Sequence, residues 1–228
     1  GTLATCGGAN HIRLGDPATG KEKATLSGPQ SRVWSLAFAP DGKTLVSGDG
    51  EQVIALWDVA TGRQTGRLEG CGGVILSLAV SPDGESVAAG CMTDTVKLWD
   101  LPSGKAEDIS MGGGKVYSVA FAPSGDTLAA GYYDGAIRFW DVLGHRPLAV
   151  MTKHEKAVGD LAFSPDGSLL ASGGVDGHIG LWRLDTLRIP GPELARRILS
   201  EHSLAADGIA LMPDPTRTLG RFVWIDGQ

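Results

Sequence analysis

Trp57, Trp99, Trp140 and Trp182 are spaced 42, 41 and 42 residues apart, and each closes a stretch of the same kind. Gly135 to Asp141 reads Gly-Ala-Ile-Arg-Phe-Trp-Asp. Gln52 to Asp58, Asp94 to Asp100 and Gly177 to Arg183 say nearly the same, and Asn10 to Asp16 is a weaker copy with Gly15 in the tryptophan place. Such self-similarity means one supersecondary unit used several times, and a unit this small cannot bury its apolar surface alone. The repeat runs nearly end to end and predicts one domain over 1–228, with units at 1–27, 28–69, 70–110, 111–152 and 153–200 and a partial sixth at 201–228.

Each unit reads as four strands. The first is Val33 to Phe38, repeated at Ile75 to Val80, Val116 to Phe121, Val158 to Phe163 and Ala206 to Leu211. Its fifth position is always alanine (Ala37, Ala79, Ala120, Ala162, Ala210), which predicts a tightly packed innermost strand. A turn follows, as in Ala39-Pro40-Asp41-Gly42 and Ser164-Pro165-Asp166-Gly167. Proline presets φ, the aspartate accepts local amides, and glycine takes the positive φ that returns the chain to its ladder. The second strand runs through Thr44 to Ser47 and its copies, and the third ends at the tryptophan. Along the third, Ile54, Leu56, Val96, Leu98, Ile137, Phe139, Ile179 and Leu181 face one way and the tryptophans the other, so both faces need cover. A more polar fourth strand, as in Arg63 to Leu68, Lys105 to Ile109 and Arg146 to Met151, reads as a charge-protected edge.

These residues resemble WD40 repeats, with the Trp-Asp ending kept in Trp57-Asp58, Trp99-Asp100 and Trp140-Asp141 and half-kept in Trp182-Arg183. The resemblance implies an all-β fold: a WD40-type β-propeller of four-stranded antiparallel blades, with five recognisable repeats and a partial sixth. It also implies, in each blade, a hydrogen-bonded tetrad of His, Ser or Thr, Asp and Trp. Only His154, Ser172, Asp176 and Trp182 supply all four; elsewhere the histidine place is Pro29, Cys71 or Gly112, and the serine place is Ala89 or Ala130 in two blades. The Ser172 blade is therefore expected to be the most rigid and the Trp99 blade the loosest. At the start, Thr2 to Cys6, His11 to Gly15 and Lys23 to Ser27 read as the second, third and fourth strands of a blade. Residues 190–199 read as a short helix or a loop into an edge strand, and 219–225 as a last strand. A seven-bladed ring would need about 28 strands, more than this reading supplies. The expectation is part of a ring, completed by a longer parent chain in preference to a partner or to pairing of Ala206–Leu211 with Thr2–Cys6.

Chemistry is scarce in the sequence. There is no Gly-x-Ser-x-Gly elbow and no His-Glu-x-x-His pair, so no catalytic, metal or cofactor residue is expected. Gly112-Gly113-Gly114-Lys115 runs into a strand, whereas a phosphate loop opens a helix. Net charge −6 argues against nucleic acid, and no apolar run is long enough to span a bilayer. Cys6, Cys71 and Cys91 are odd in number and lack metal spacing, so they read as thiols in a reducing, cytoplasmic setting.

What remains is surface. The resemblance places ligands on the face formed by the entry to each innermost strand and the turn between second and third strands, which here means Arg32, Trp34, Met92, Lys115, Tyr117 and Tyr133. Aromatic and cationic side chains of this kind anchor peptide interfaces. The expected function is a non-catalytic scaffold for a protein or peptide partner of acidic or mixed charge, with self-association if the ring is incomplete. The alternative is the regulatory or sensing propeller of a larger signalling enzyme such as a bacterial kinase, protease or defence protein.

Overall fold

A computed structural model describes residues 1–6 and 10–184, together with the short strands 189–190, 209–211 and 217–218. Two compact units divide the chain, residues 1–110 and 111–228. Every described element is a strand, turn or loop, and no helix is long and apolar enough to cross a membrane among the described residues.

The first unit holds three antiparallel sheets. β1 (Leu3–Cys6), β2 (His11–Gly15) and β3 (Glu22–Ser27) form one sheet in that order. Four-stranded sheets follow: β4 (Val33–Phe38), β5 (Thr44–Asp49), β6 (Val53–Asp58) and β7 (Gln64–Glu69), then β8 (Ile75–Val80), β9 (Ser86–Cys91), β10 (Thr95–Asp100) and β11 (Ala106–Ser110). In the second unit β12 (Val116–Phe121), β13 (Thr127–Tyr132), β14 (Ala136–Asp141) and β15 (Arg146–Thr152) repeat the order, and β16 (Val158–Phe163), β17 (Leu169–Gly174) and β18 (Ile179–Arg183) begin it again. β19 (Ile189–Pro190) pairs with β21 (Arg217–Thr218).

The meander order follows from the turns. In all four turns of the Pro-Asp-Gly type the glycine has positive φ, at Gly42, Gly84, Gly125 and Gly167, and its amide closes back on the first residue of the turn, as in Gly42 to Ala39 at 2.9 Å. Apolar cores lie between consecutive sheets: Leu14, Leu26, Leu45 and Trp57 in one, Ile54, Ile75, Val87 and Trp99 in the next, and Ile137, Phe139, Leu170 and Trp182 in the second unit. Close approach of sheet to sheet is set by glycines on the second strands. A Cβ on Gly48 would strike the side chain of Ile75, and one on Gly131 would lie 2.8 Å from Val158 Cγ1.

Three expectations are corrected. Ala37, Ala79 and Ala120 are half-buried and Ala162 is exposed, so the alanine positions are not tightly enclosed. Ile179 is 60% exposed where its counterparts Ile54, Val96 and Ile137 are fully buried, because nothing among the described residues covers it. β15 is no charged outer edge: β20 (Ile209–Leu211) pairs antiparallel with it at Ala149, Val150 and Met151. Beyond Arg146 that strand carries no charge, unlike β7 with Arg67 and Glu69 or β11 with Glu107 and Asp108, and an edge without charges accepts a further strand. The reading of Ala206 to Leu211 as the innermost strand of a sixth blade is thereby replaced over Ile209–Leu211, and with it the less favoured option of its pairing with Thr2 to Cys6. The readings of 190–199 and 219–225 lie outside the described residues, apart from Pro190.

Candidate functional site

The site begins with a register irregularity that recurs in every complete innermost strand. Val33 faces Asp49 but Ser35 faces Gly48, leaving Trp34 as the extra residue of a β-bulge. The same step leaves Leu76, Tyr117 and Gly159 unpaired in the later sheets. A bulge turns a side chain out of the ladder, which is why Trp34 is 43% exposed although its neighbour Val33 is 2% exposed. Trp34 stands outside the series of tryptophans that close the third strands, and the bulge explains its place.

Beside each bulge lies the turn that ends the second strand. Its amide donates to the carbonyl just before the innermost strand: Gly50 to Arg32 at 3.1 Å, Met92 to Val74 at 2.8 Å, Tyr133 to Lys115 at 2.9 Å and Val175 to Ala157 at 2.8 Å. The expected surface residues therefore occupy equivalent places at one edge of each sheet. In the first unit the Arg32 guanidinium sits 4.2 Å from the Trp34 ring centroid, and Met92 is exposed. In the second, Tyr117 and Tyr133 stack with centroids 6.5 Å apart and planes 29° from parallel. Tyr133 is 61% exposed, and Val175 in the next blade is exposed as well. The turn after Tyr133 is pressed against the loop of that next blade, since a Cβ on Gly135 would strike the His154 carbonyl and lie 3.0 Å from that of Lys156. Exposed Lys156 thus has its backbone against the turn that follows Tyr133. The structure joins Arg32 with Trp34, and Lys115 and Tyr117 with Tyr133.

Behind this edge each blade is fastened differently, at the histidine place and at the residue eight before the tryptophan. In the last blade His154 Nδ1 donates to Asp176 at 2.9 Å, Ser172 Oγ donates to His154 Nε2 at 2.7 Å, and Trp182 Nε1 donates to Ser172 Oγ at 2.8 Å. These directions follow because an indole N–H only donates and a carboxylate only accepts. Burial would raise the Asp176 carboxyl, but bonds from the His178 amide, the His154 ring and the Glu155 amide outweigh it and bring its pKa to about 2. The residue eight before the tryptophan is Gly174, where a Cβ would collide with the His154–Asp176 pair.

In the other blades that residue carries a side chain, and the tetrad gives way. Tyr132 stands there in the Trp140 blade, with the Arg138 guanidinium 4.4 Å from its ring centroid and bonded to Asp134 at 3.0 and 2.6 Å. Asp49 stands there in the Trp57 blade, accepting from the amides of Glu51 and Val53, while Trp57 Nε1 donates to Ser47 Oγ at 2.9 Å. In the Trp99 blade the residue is Cys91, joined by a disulfide to Cys71 in the histidine place, their Cα atoms 6.0 Å apart. This corrects the reading of three thiols; Cys6 alone is free among the described residues. It also removes the ground for expecting the Trp99 blade to be the loosest, because a covalent link stands where the hydrogen bonds are missing. Ala130, in the serine place, leaves buried Trp140 Nε1 without a partner among the described residues.

At the opposite edge of the sheets, in the second unit, a cleft of about 550 Å³ is lined by Asp126, Phe163, Asp166, Ser168 and Leu184 among others. Its carboxylates serve the turns. Asp166 accepts from the hydroxyls of Ser164 and Ser168, and these bonds with the Ser168 amide hold its pKa at about 2. No group of three or more His, Cys, Asp or Glu side chains is placed to hold a metal ion among the described residues.

Tandem four-stranded antiparallel sheets, tryptophan-ended third strands and a recurrent bulge define a β-propeller blade repeat. The family model for the WD domain, G-beta repeat, matches residues 20–58, 62–100, 110–141 and 145–183, more than half of the chain, which therefore belongs to that family. Comparison with curated proteins finds no match. Repeats of this family generally serve as protein-interaction scaffolds.

Proposed function

We propose that this chain is a non-catalytic scaffold that holds a protein segment against the bulge edge of its sheets. The supporting observation is the stacked Tyr117–Tyr133 pair, with Tyr133 61% exposed and with exposed Lys115 and Lys156 in the adjoining loops, neither lysine having a carboxylate partner among the described residues. Large aromatic side chains supply contact area at low entropic cost, and such positions carry most of the energy of protein interfaces. On a chain of net charge −6, lysines beside exposed rings favour an acidic segment with an apolar anchor over a basic one. The Arg32–Trp34 pair offers the same chemistry in the first unit.

The test is selection from a library of random displayed peptides by the wild-type chain and by Tyr117→Ala/Tyr133→Ala. Enrichment of acidic, apolar-anchored peptides that is lost in the variant, at an unchanged melting temperature, is the expected result. Enrichment indifferent to the two tyrosines, or a variant that melts much earlier, would assign the pair to the core.

A further inference from the structure

The Met92 turn differs from its three equivalents in having a covalent tie. Met92 follows Cys91 directly, and Cys91 is bonded to Cys71 in the loop that leads into the innermost strand. That loop is rich in glycine: Gly70 and Gly72, on either side of Cys71, both have positive φ, and Gly73 follows. Among the described residues its one hydrogen bond to the turn is the Met92 amide on the Val74 carbonyl. Among the described residues no side-chain hydrogen bond replaces the missing tetrad, because Ala89 has no hydroxyl and Thr93, in the aspartate place, has no carboxylate. Both sulfurs are buried, Cys71 at 2% and Cys91 at 0% exposure, so a reductant reaches them only when the loop opens.

We propose that the Cys71–Cys91 disulfide is a redox-governed lock on the Met92 turn, ordering this part of the bulge edge when oxidised and releasing it when reduced. The exchange needs a dithiol as co-reactant. Its first thiolate attacks one sulfur and expels the other as a thiolate. Its second thiol then closes on the first, so that two electrons and two protons pass to Cys71 and Cys91 and the reagent leaves as a cyclic disulfide. A small disulfide oxidant reverses the step. Reduced, the two thiols offer only weak hydrogen bonding in place of the covalent tie, and the glycine-flanked loop keeps the packing of Cys71 in the core and, among the described residues, one backbone hydrogen bond to the turn.

The test uses the full chain. Alkylation in denaturant without reductant should label Cys6 alone; labelling of all three cysteines would overturn the proposal. Amide exchange is then followed with and without dithiothreitol. Reduction should speed exchange at Met92 by about tenfold or more while Gly50, Tyr133 and Val175 keep their rates. An unchanged Met92 amide, or equal acceleration at all four, would refute a local lock. A variant carrying Cys71→His, Ala89→Ser, Cys91→Gly and Thr93→Asp rebuilds the tetrad and should be indifferent to the reagent. If it does not fold, Cys71→Ala/Cys91→Ala should show, without any reagent, the faster Met92 exchange of the reduced protein, and a rate equal to that of the oxidised protein would refute the lock. This readout is independent of the proposed function. Weakened capture of a selected peptide on reduction rests on it, so loss of peptide binding with an intact exchange result would fault the surface reading and not the lock.

Discussion

Ser172→Ala removes the middle of a three-step chain of hydrogen bonds. Ser172 Oγ accepts from Trp182 Nε1 at 2.8 Å and donates to His154 Nε2 at 2.7 Å, and all three residues are buried. The substitution removes a hydrogen bond from each of two buried groups, at about 1–2 kcal/mol each, or about 2–4 kcal/mol together. Ser47→Ala is the internal control: among the described residues Ser47 serves only Trp57 Nε1, at 2.9 Å, so its loss should cost about half as much. A urea titration followed by tryptophan fluorescence gives both differences. In a scan, each kcal/mol corresponds to about 2–4 °C for a chain of this size. Equal costs at the two serines, or a Ser172→Ala cost below about 0.5 kcal/mol, would refute the idea that the histidine and its serine act as one fastener.

Ala130→Ser should stabilise the chain by about 0.5–1.5 kcal/mol, because Trp140 Nε1 is buried without a partner and the serines of two other blades meet theirs at 2.8–2.9 Å; the same urea titration reads it. Gly131→Ala should destabilise by about 1–3 kcal/mol through collision with Val158, and Val158→Ala in the same chain should recover part of that loss. Asp176 has a folded pKa near 2, below its ordinary value of 3.8, so its stabilisation is complete above pH 4 and is lost as pH falls through about 2. Asp176→Asn should therefore flatten the acid limb of a stability-versus-pH curve, and an unchanged limb would contradict the assignment.

The blade frame was legible because its determinants are local. Turns need Pro, Asp and Gly in fixed order, and the third strand needs apolar residues on one face with tryptophan on the other. The positions of the surface residues were legible by repeat alignment, yet the reason for Trp34 was not, since a bulge is a property of pairing register and leaves no mark in composition. The disulfide was hidden for a related reason. Cys71 and Cys91 lie 20 residues apart with no framework spacing, and only the geometry of the tetrad reveals that the histidine place and the residue eight before the tryptophan face each other. Lys156 was missed because it belongs to one repeat and adjoins the turn of another. The fifth strand on β15 was missed because an absence of charge is a weaker signal than its presence.

The central claim is that recognition and stability reside in different residues of the same repeat. The most direct test measures, for Tyr133→Ala and Ser172→Ala, both the melting temperature and the affinity for one selected peptide well below melting. The account predicts that Tyr133→Ala weakens binding at least about fivefold without moving the melting temperature, and that Ser172→Ala lowers the melting temperature by about 5–15 °C without changing affinity. One variant moving both quantities together, or Tyr133→Ala moving neither, would contradict it.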